Sequence, residues 1–222
     1  MVSLSVDVEP DFPPHFDTNK GIDGLENICE LLRRYKSNAT FFVCADFLDK
    51  NPEIVDLIGD FEVGCHGFRH VDLTRLSEFA IEGEIRESLE IFEEHGFNPL
   101  GFRAPFARTN EKILHIIKRF FKYDSSLHFY ESKPKGIFEI PIFLGGKSFG
   151  VSPKLFNTCF SFPLKNKVFF IHPWEYGGLD FKELQSRRKR MMLLGYKSEN
   201  YTKNLITLLK KKPRRLSDLL YV

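Results

Sequence analysis

The stretch Phe61–His70, which reads Phe-Glu-Val-Gly-Cys-His-Gly-Phe-Arg-His, indicates how the rest of the chain is arranged. Glu62–Cys65 is predicted to be a short buried strand. Two histidines follow it, His66 and His70, and residues four apart share one face if the backbone makes a helical turn. Two nitrogen ligands at this spacing suit a divalent metal ion. The alternative interpretation is that both histidines are partly buried residues at the end of a strand.

Short apolar runs alternate with amphipathic segments on both sides of this stretch. Strands are expected at Ser3–Val8, Ala39–Val43, Glu62–Cys65, Gly101–Arg103, Phe138–Ile142 and Lys167–Ile171. Helices are expected at Gly24–Tyr35, Pro52–Ile58, Leu76–His95, Asn110–Phe121, Asp180–Leu194 and Tyr201–Lys211. This alternation predicts a parallel sheet, either open or closed into a barrel. Because no internal repeat or low-complexity linker is present, residues 1–222 are predicted to form a single α/β domain.

The overall composition is that of an ordinary globular protein. Of its 222 residues, 42% are hydrophobic and 28% are charged, and both values are typical of soluble domains. The four cysteines are far apart and form no Cys-x-x-Cys pair, which argues against a zinc ribbon or a disulfide framework. No signal peptide and no membrane-spanning run is visible, so a cytoplasmic location is expected.

Residues 179–222 form a basic segment that is predicted to be helical. It contains 12 lysines and arginines against four aspartates and glutamates, a net charge of +8. Such runs are usually solvated helix faces. The second interpretation is attraction to an anionic lipid or an acidic substrate near the active-site mouth. Nucleic acid is not expected as a partner.

Polar residues stand at the ends of the predicted strands. In a parallel barrel the carboxyl ends of the strands gather at one mouth, so residues far apart in sequence meet there. The residues expected at this mouth are Asp7, Glu9, His66, His70, Arg103, Asp124 and His172.

Five of these stretches resemble the motifs of a known family, and they occur in that family's order. They are Val6–Glu9, His66–His70, Arg103–Phe106, Tyr123–Ser126 and Ile171–Glu175. The sequence is similar to the polysaccharide deacetylases of the NodB-homology type, a carbohydrate esterase group, from Ser5 to Glu175. The resemblance implies a distorted (β/α) barrel of about seven parallel strands. It also implies a catalytic divalent metal ion, zinc before other transition metals, and hydrolysis of an N-acetyl group.

The first motif departs from the usual pattern of that family. Two adjacent aspartates are usual, a base and then a metal ligand, whereas here Val8 separates Asp7 from Glu9 and Asp11 lies beyond. Residues two apart in a strand lie on the same side, so Asp7 and Glu9 can both face the mouth. Glu9 is favoured over Asp11 as the ligand because Pro10 interrupts the strand. The spaced arrangement resembles a subgroup with cytosolic and small-amide-hydrolysing members.

The resemblance gives the main chemical roles to five residues. Glu9, His66 and His70 would bind the metal ion and leave positions open for water and the carbonyl oxygen. Asp7 would act as general base on the water. His172 would protonate the departing amine, because an amide nitrogen cannot leave as an anion.

Five further residues are expected to support this chemistry. Arg103 would keep Asp7 ionised and oriented, and Asp124 would pair with Arg103 from behind. Pro105, Phe106 and Trp174 are candidate substrate-binding residues, since aromatic rings suit an acetyl methyl group or a sugar ring.

Three functions follow from these observations. The first is metal-dependent deacetylation of an N-acetylated sugar or oligosaccharide, with release of acetate. The second is hydrolysis of a small linear or cyclic amide on the same fold, and the third is non-catalytic carbohydrate binding. The complete set of acid, base and metal-ligand residues favours an enzyme. The expected cytoplasmic location favours a soluble or lipid-linked precursor over a cell-wall polymer.

Overall fold

The structure is a computed structural model that describes residues 1–10, 20–132, 136–177 and 198–222. Strand β1 (Val2–Val8) lies within the sheet, between two other strands. Its residues Leu4, Val6 and Val8 are buried in the core between the sheet and the helices. Since side chains alternate along a strand, Ser5 and Asp7 face the opposite side.

Seven further strands complete a single sheet. They are β2 (Thr40–Val43), β3 (Glu62–Cys65), β4 (Gly101–Phe102), β5 (Tyr123–Asp124), β6 (Phe138–Glu139), β7 (Ile142–Leu144) and β8 (Lys167–Ile171). The order across the sheet is β6-β5-β4-β3-β2-β1-β8-β7, and every pair is parallel.

The two edges of this sheet come together. Edge strands β6 and β7 are separated only by Ile140 and Pro141, which can span no more than roughly 11 Å. Beside them, the N–H of Ile142 donates to the carbonyl of Leu127 at 2.7 Å, and the N–H of Phe129 donates to the carbonyl of Ile142 at 2.8 Å. The sheet is therefore curled into a distorted (β/α) barrel, as the sequence predicts.

The described residues form eight strands instead of about seven because the expected strand Phe138–Ile142 is divided. Proline has no backbone N–H to donate and is disfavoured inside a sheet. Pro141 lies where β6 ends and β7 begins, so two short strands replace one.

The described helices surround the strands. They are α1 (Lys20–Arg34), α2 (Ala45–Lys50), α3 (Ile54–Ile58), α4 (Glu78–Glu94), α5 (Glu111–Ile117), α6 (Pro153–Thr158) and α7 (Ser198–Leu209). Helices α1, α3, α4, α5 and α7 correspond to expected segments with altered ends, and α2 and α6 were not expected. The expected helix Asp180–Leu194 lies outside the described residues. None of the helices in the described ranges is long and apolar enough to span a membrane.

The last described segment closes the barrel at the amino ends of its strands. The backbone N–H of Arg214 donates to the carbonyl of Val2 at 3.0 Å, and that of Leu216 donates to Thr40 Oγ1 at 2.9 Å. Leu216 and Leu219 are buried in a second core cluster, with side chains such as Phe42, Tyr123 and Val168. These leucines fill the lower end of the barrel interior.

This arrangement corrects the expected position of the basic run at residues 210–215. Besides the contact of Arg214 with β1, Lys212 donates to the carbonyl of Tyr35 and Arg215 donates to the carbonyl of Asp60 at 3.5 Å. Tyr35 precedes β2 and Asp60 precedes β3, so the run lies at the amino ends of the strands. The expectation that this run lies near the mouth is wrong. The basic run Arg187–Arg190 lies outside the described residues.

Candidate active site

The candidate site lies at the opposite end, where the carboxyl ends of the strands meet. Glu9 directly follows β1, and His66 and His70 follow β3. One ligand atom from each of these three residues lies within 4.8 Å of the others. Glu9 and His66 are buried, and His70 is half-buried. The expected metal ligands are thus together in space, whereas Asp11 lies outside the described residues.

The geometry of the three side chains fits a cation between them. His66 Nδ1 lies 2.8 Å from the carbonyl oxygen of Arg103. A carbonyl only accepts hydrogen bonds, so Nδ1 carries the proton, and in the neutral ring Nε2 presents a lone pair. That Nε2 atom lies 3.2 Å from Glu9 Oε2.

The second histidine approaches the same carboxylate oxygen. His70 Nε2 lies 2.7 Å from Glu9 Oε2 but makes no well-oriented hydrogen bond in the described structure. Because His66 already carries a proton on Nδ1, its Nε2 atom can face the Glu9 carboxylate favourably only with a second proton on the ring or with a metal ion between the two groups. Two imidazoles and a carboxylate are a ligand set for zinc and related divalent ions.

The loop that carries the histidines is not the helical turn considered from the spacing. Gly67 and His70 have φ values of +79° and +53°, in the left-handed region, so the two rings converge through a tight loop. A Cβ atom at Gly67 would lie 3.3 Å from Pro105 Cγ, which leaves little space for a side chain. Helix α2 fixes the loop, because the N–H groups of Ala45 and Asp46 donate to the carbonyls of Gly67 and Phe68.

Beside the histidines, Arg103 forms a buried ion pair with Asp7. Arg103 Nη1 donates to Asp7 Oδ1 at 2.6 Å and to Ser5 Oγ at 2.8 Å. The guanidinium carbon lies 4.4 Å from the ring centroid of Phe42 and 5.5 Å from that of Phe170. Planar arginine between aromatic rings is well suited to hold a carboxylate in one orientation.

Asp124 has a different partner from the one expected. In the described structure neither a hydrogen bond nor an ion pair joins it to Arg103. Instead, Arg103 Nε and Nη2 donate to the carbonyl and hydroxyl oxygens of Ser125 at 2.8 and 2.9 Å. Asp124 Oδ1 accepts from Ser126 Oγ at 2.6 Å. The predicted support behind Arg103 is therefore supplied by Ser125, and Asp124 acts on the neighbouring residues.

His172 approaches Glu9 from the other side. Its Nε2 atom lies 3.7 Å from Glu9 Oε1, and its Nδ1 atom lies 3.7 Å from Glu175 Oε2. Glu175 Oε2 also accepts from the backbone N–H of His172 at 2.9 Å. The ring of Trp174 stacks on that of His172 with centroids 4.8 Å apart. Trp174 is buried, so it supports His172 more than it lines an open wall.

The charges of this cluster depend on one another. Burial raises the pKa of Glu9, but the charge of His172 and the close approach of the His66 and His70 rings outweigh it, so the pKa is well below its usual range. Burial lowers the pKa of His172, but Glu175 and then Glu9 outweigh it and raise the pKa to about 9. The site therefore contains an ionised carboxylate between its histidines.

Phe106 forms an exposed edge of the site, as its substrate-binding prediction requires. Its φ of +61° is unusual for a bulky residue. The ring lies 4.4 Å from that of His70 and is 52% exposed. The preceding Pro105 is buried against the histidine loop. Phe106 is thus the more accessible of the two.

Sequence reasoning missed three residues that hold the site together. Ser5 shares the face of Asp7 on β1, and this alternation was a usable signal. Ser125 and Glu175 lie inside the motif stretches but were given no role. Their contacts depend on the conformation after a strand end, for which the sequence carries no periodic pattern.

The protein is a parallel barrel with a polar site at the carboxyl ends of its strands. It therefore belongs to the class of (β/α)-barrel proteins, whose sites are built from the loops that follow the strands. Within this class the chain belongs to the polysaccharide deacetylase family, because the model of the family described as polysaccharide deacetylase matches residues 2–121.

Relatives with assigned names match part of the chain. A peptidoglycan-N-acetylglucosamine deacetylase of Bacillus cereus is 30% identical over 93 residues, which are 41% of this chain and 44% of that protein. A peptidoglycan-N-acetylmuramic acid deacetylase of Bacillus subtilis is 31% identical over 101 residues, 44% of this chain and 22% of that protein. The chain thus spans less than half the length of the curated relatives it matches.

Solved structures agree in fold over nearly the whole chain. A family 4 carbohydrate esterase from Streptomyces lividans has a TM-score of 0.60 at 16% identity. The match covers 95% of this chain and 88% of the esterase chain. A CE4 family pseudoenzyme from Bacillus anthracis has a TM-score of 0.65 at 17% identity. The match covers 99% of this chain and 65% of the pseudoenzyme chain. At these identities the similarity establishes the fold alone.

Proposed function

We propose that the protein is a metal-dependent deacetylase that hydrolyses the N-acetyl group of an N-acetylated sugar or oligosaccharide and releases acetate. The observation that carries this proposal is the arrangement around Glu9. Two histidine nitrogens approach one oxygen of its carboxylate and His172 approaches the other, while the Asp7–Arg103 pair lies in the same strand-end cluster.

Glu9, His66 and His70 would hold the metal ion, zinc before other divalent ions. When bound, the ion would polarise the amide carbonyl and make a water molecule a better nucleophile. His66 is already fixed in the required tautomer by the carbonyl of Arg103, which is a common way to orient a metal-binding histidine.

Asp7 would take the proton of the attacking water. The ion pair with Arg103, whose guanidinium is itself held by Ser5, keeps the carboxylate in one orientation. A positioned general base contributes roughly 10²–10⁴ in rate.

His172 would give its proton to the departing amine. Glu175 holds the backbone and lies beside Nδ1, so Nε2 is directed toward Glu9. Because the pKa of His172 is raised to about 9, the ring carries a proton at neutral pH and can act as an acid.

The names of the relatives support an N-acetylated sugar as the substrate class. Phe106 is the exposed aromatic residue next to His70 and would pack against the acetyl methyl group or the sugar ring. Hydrolysis of a small amide is the alternative, favoured by the spacing between Asp7 and Glu9. The cytoplasmic location and contact of the basic segment with an anionic lipid remain predictions.

The decisive experiment is acetate release from a panel of N-acetyl sugars, oligosaccharides and small amides, each with zinc and several other divalent ions. Acetate from N-acetyl sugars, lost on chelation and restored by one ion, is the expected result. The His115→Ala variant, which loses an exposed histidine outside the site, is the matched control and should release acetate like the parent. Turnover of small amides alone would support the alternative. Sugar binding without acetate from any substrate would make the protein a non-catalytic binder.

A further inference from the structure

Two buried carboxyl groups lie next to each other, close to the segment that holds Arg103 of the Asp7–Arg103 ion pair. Asp124 on β5 and Glu139 on β6 are partners in the register of neighbouring strands. Asp124 is fully buried and Glu139 is 7% exposed. Asp124 Oδ1 accepts from Ser126 Oγ at 2.6 Å, and Glu139 Oε1 accepts from the N–H of Leu127 at 3.1 Å.

The two remaining oxygens have no other donor. Asp124 Oδ2 and Glu139 Oε2 are buried, and neither has a partner among the donors of the described residues, yet the two carboxyl groups are within hydrogen-bonding reach of each other. Two ionised groups in this position would repel each other and leave both oxygens unsatisfied. A single proton between them satisfies both.

The charges around the pair favour this protonated state. Burial raises the pKa of Glu139, and the neighbouring Asp124 raises it further. Burial also raises the pKa of Asp124 by more than its hydrogen bonds lower it. Arg103 is the charged group that faces both acids, and its effect is smaller than that of burial.

The pair holds the segment that fixes Arg103. Ser125 binds the guanidinium through its carbonyl and hydroxyl oxygens. Ser126, bound by Asp124, accepts from the N–H of Ala104 at 2.8 Å. Leu127 is bound by Glu139, so the two residues that follow the Arg103 contact in the chain are each fixed by one of the two acids.

We propose that Asp124 and Glu139 share one proton at neutral pH and together act as positioning residues for Arg103, and through it for Asp7. The activity readout rests on the proposed deacetylase function, whereas the readouts on Arg103 and on stability do not.

A double-mutant cycle with isosteric amides tests this inference. In Glu139→Gln the amide nitrogen donates to Asp124 Oδ2 while the amide oxygen still accepts from Leu127. In Asp124→Asn the donation runs the other way and the contact with Ser126 is kept. In the double variant two NH₂ groups face each other and no acceptor remains between them.

Each single variant is therefore expected to keep kcat within about threefold of the parent. The double variant is expected to lose about tenfold more than the product of the single effects, with KM little changed, since coupled neighbours are non-additive. Glu62→Gln is the control, because that half-buried carboxylate lies at the amino ends of the strands and has donors on both oxygens.

The NMR signal of the Arg103 Nε–H group and urea unfolding at pH 7 complete the test without using activity. The Nε–H signal, which reports the bond to Ser125, should move in the double variant and stay near its parent position in the single variants. The free energies of unfolding should show the same non-additivity. Additive effects in unfolding, or an unchanged Arg103 signal in the double variant, would overturn the inference. If the parent releases no acetate but the free energies of unfolding are non-additive, only the proposed function is contradicted.

Discussion

Both ends of the barrel contain buried polar atoms without a partner among the described residues, but at the amino ends these atoms belong to Ser3 and Asn166, whereas at the mouth they belong to ionisable side chains. At the amino ends of the strands, Glu62 accepts from Thr40, Tyr123 and the backbone of Ser217, so both of its oxygens have donors. At the mouth, by contrast, several buried polar atoms lack a partner within the described residues. They belong to His70, Asp124, Glu139 and His172.

This difference separates a structural network from a functional one. Buried polar groups are normally hydrogen-bonded, and a complete network stabilises one conformation. Atoms left unpaired at a strand-end site are available for a metal ion, a proton or a substrate. Changes at the mouth should therefore alter chemistry, and changes at the amino ends should alter stability.

The largest effect is expected from replacing both His66 and His70 with alanine. Loss of two of three ligands should abolish binding of the single divalent ion per chain and reduce turnover to background. Metal content by elemental analysis and acetate release measure the two effects. Stoichiometric metal retained in the double variant would show that the site lies elsewhere.

The next effect separates the two acids of the first motif. Asp7→Asn should keep the metal and lose roughly 10²–10⁴ in kcat, as expected for a general base. Glu9→Ala should lose metal affinity. Titration of each variant with zinc, beside single-turnover kinetics, distinguishes them. Equal metal loss in both would make Asp7 a ligand and leave the base unassigned.

A change at the other end should show the reverse behaviour. Leu216 is fully buried, and Leu216→Ala should lower the free energy of unfolding by about 2–5 kcal/mol. Metal affinity and kcat at a temperature where the variant is folded should be unchanged. Urea unfolding and zinc titration measure the two, and a large loss of metal affinity would mean that the two ends are coupled.

The protonated acid pair predicts a specific dependence of stability on pH. The pKa of Glu139 is 4.5 without the fold's influence and about 10 in the folded protein. At pH values between these two pKa values, folding therefore takes up a proton. The free energy of unfolding should fall as pH rises through this range. Glu139→Gln removes that contribution.

Urea unfolding at pH 5, 7 and 9 checks this prediction. The free energy of unfolding of the Glu139→Gln variant should depend less on pH, so the variant should become more stable relative to the parent as pH rises. Asp218→Asn, at an exposed site, should follow the parent. Parallel curves for Glu139→Gln and the parent would show that Glu139 is ionised in the folded protein.

The smallest effect is expected from neutralising the basic run at the amino ends. Strand β1 has seven residues and separates that run from the mouth by roughly 20 Å, beyond the screening length of about 8 Å at physiological ionic strength. Replacement of Lys210, Lys211, Lys212, Arg214 and Arg215 with glutamine should leave KM for an anionic substrate unchanged. A raised KM at physiological salt would restore a role for the run in substrate binding.

The parts of the fold that follow from local pattern could be predicted from the sequence. Strands β3 and β8 have the expected bounds, which are marked by Val63 and Cys65 in β3 and by the apolar run Val168–Ile171 in β8. The shared face of Asp7 and Glu9 followed from the period of a strand. The histidine loop was predicted as a metal site from its residue types, although its backbone is left-handed at Gly67 and His70.

The remaining features depend on contacts between distant segments. Helix α2 is too short to be stable alone, and it is fixed by bonds to the histidine loop. The partner of Asp124 is set by the register of β5 against β6, which no local pattern encodes. In the last segment the cations dominate the sequence pattern, whereas Leu216 and Leu219 determine where the segment packs.

The pairing of the first strand has a consequence for how the chain folds as it is synthesised. β1 pairs with β2 on one side but with β8 on the other, and Leu4 is matched with Phe169. At about 5–20 residues per second, the ribosome needs roughly 10–30 s to make the intervening chain. During that time one edge of β1 is open. The nascent chain is therefore most exposed to aggregation before β8 emerges, and a pause between β2 and β8 would lengthen that exposure.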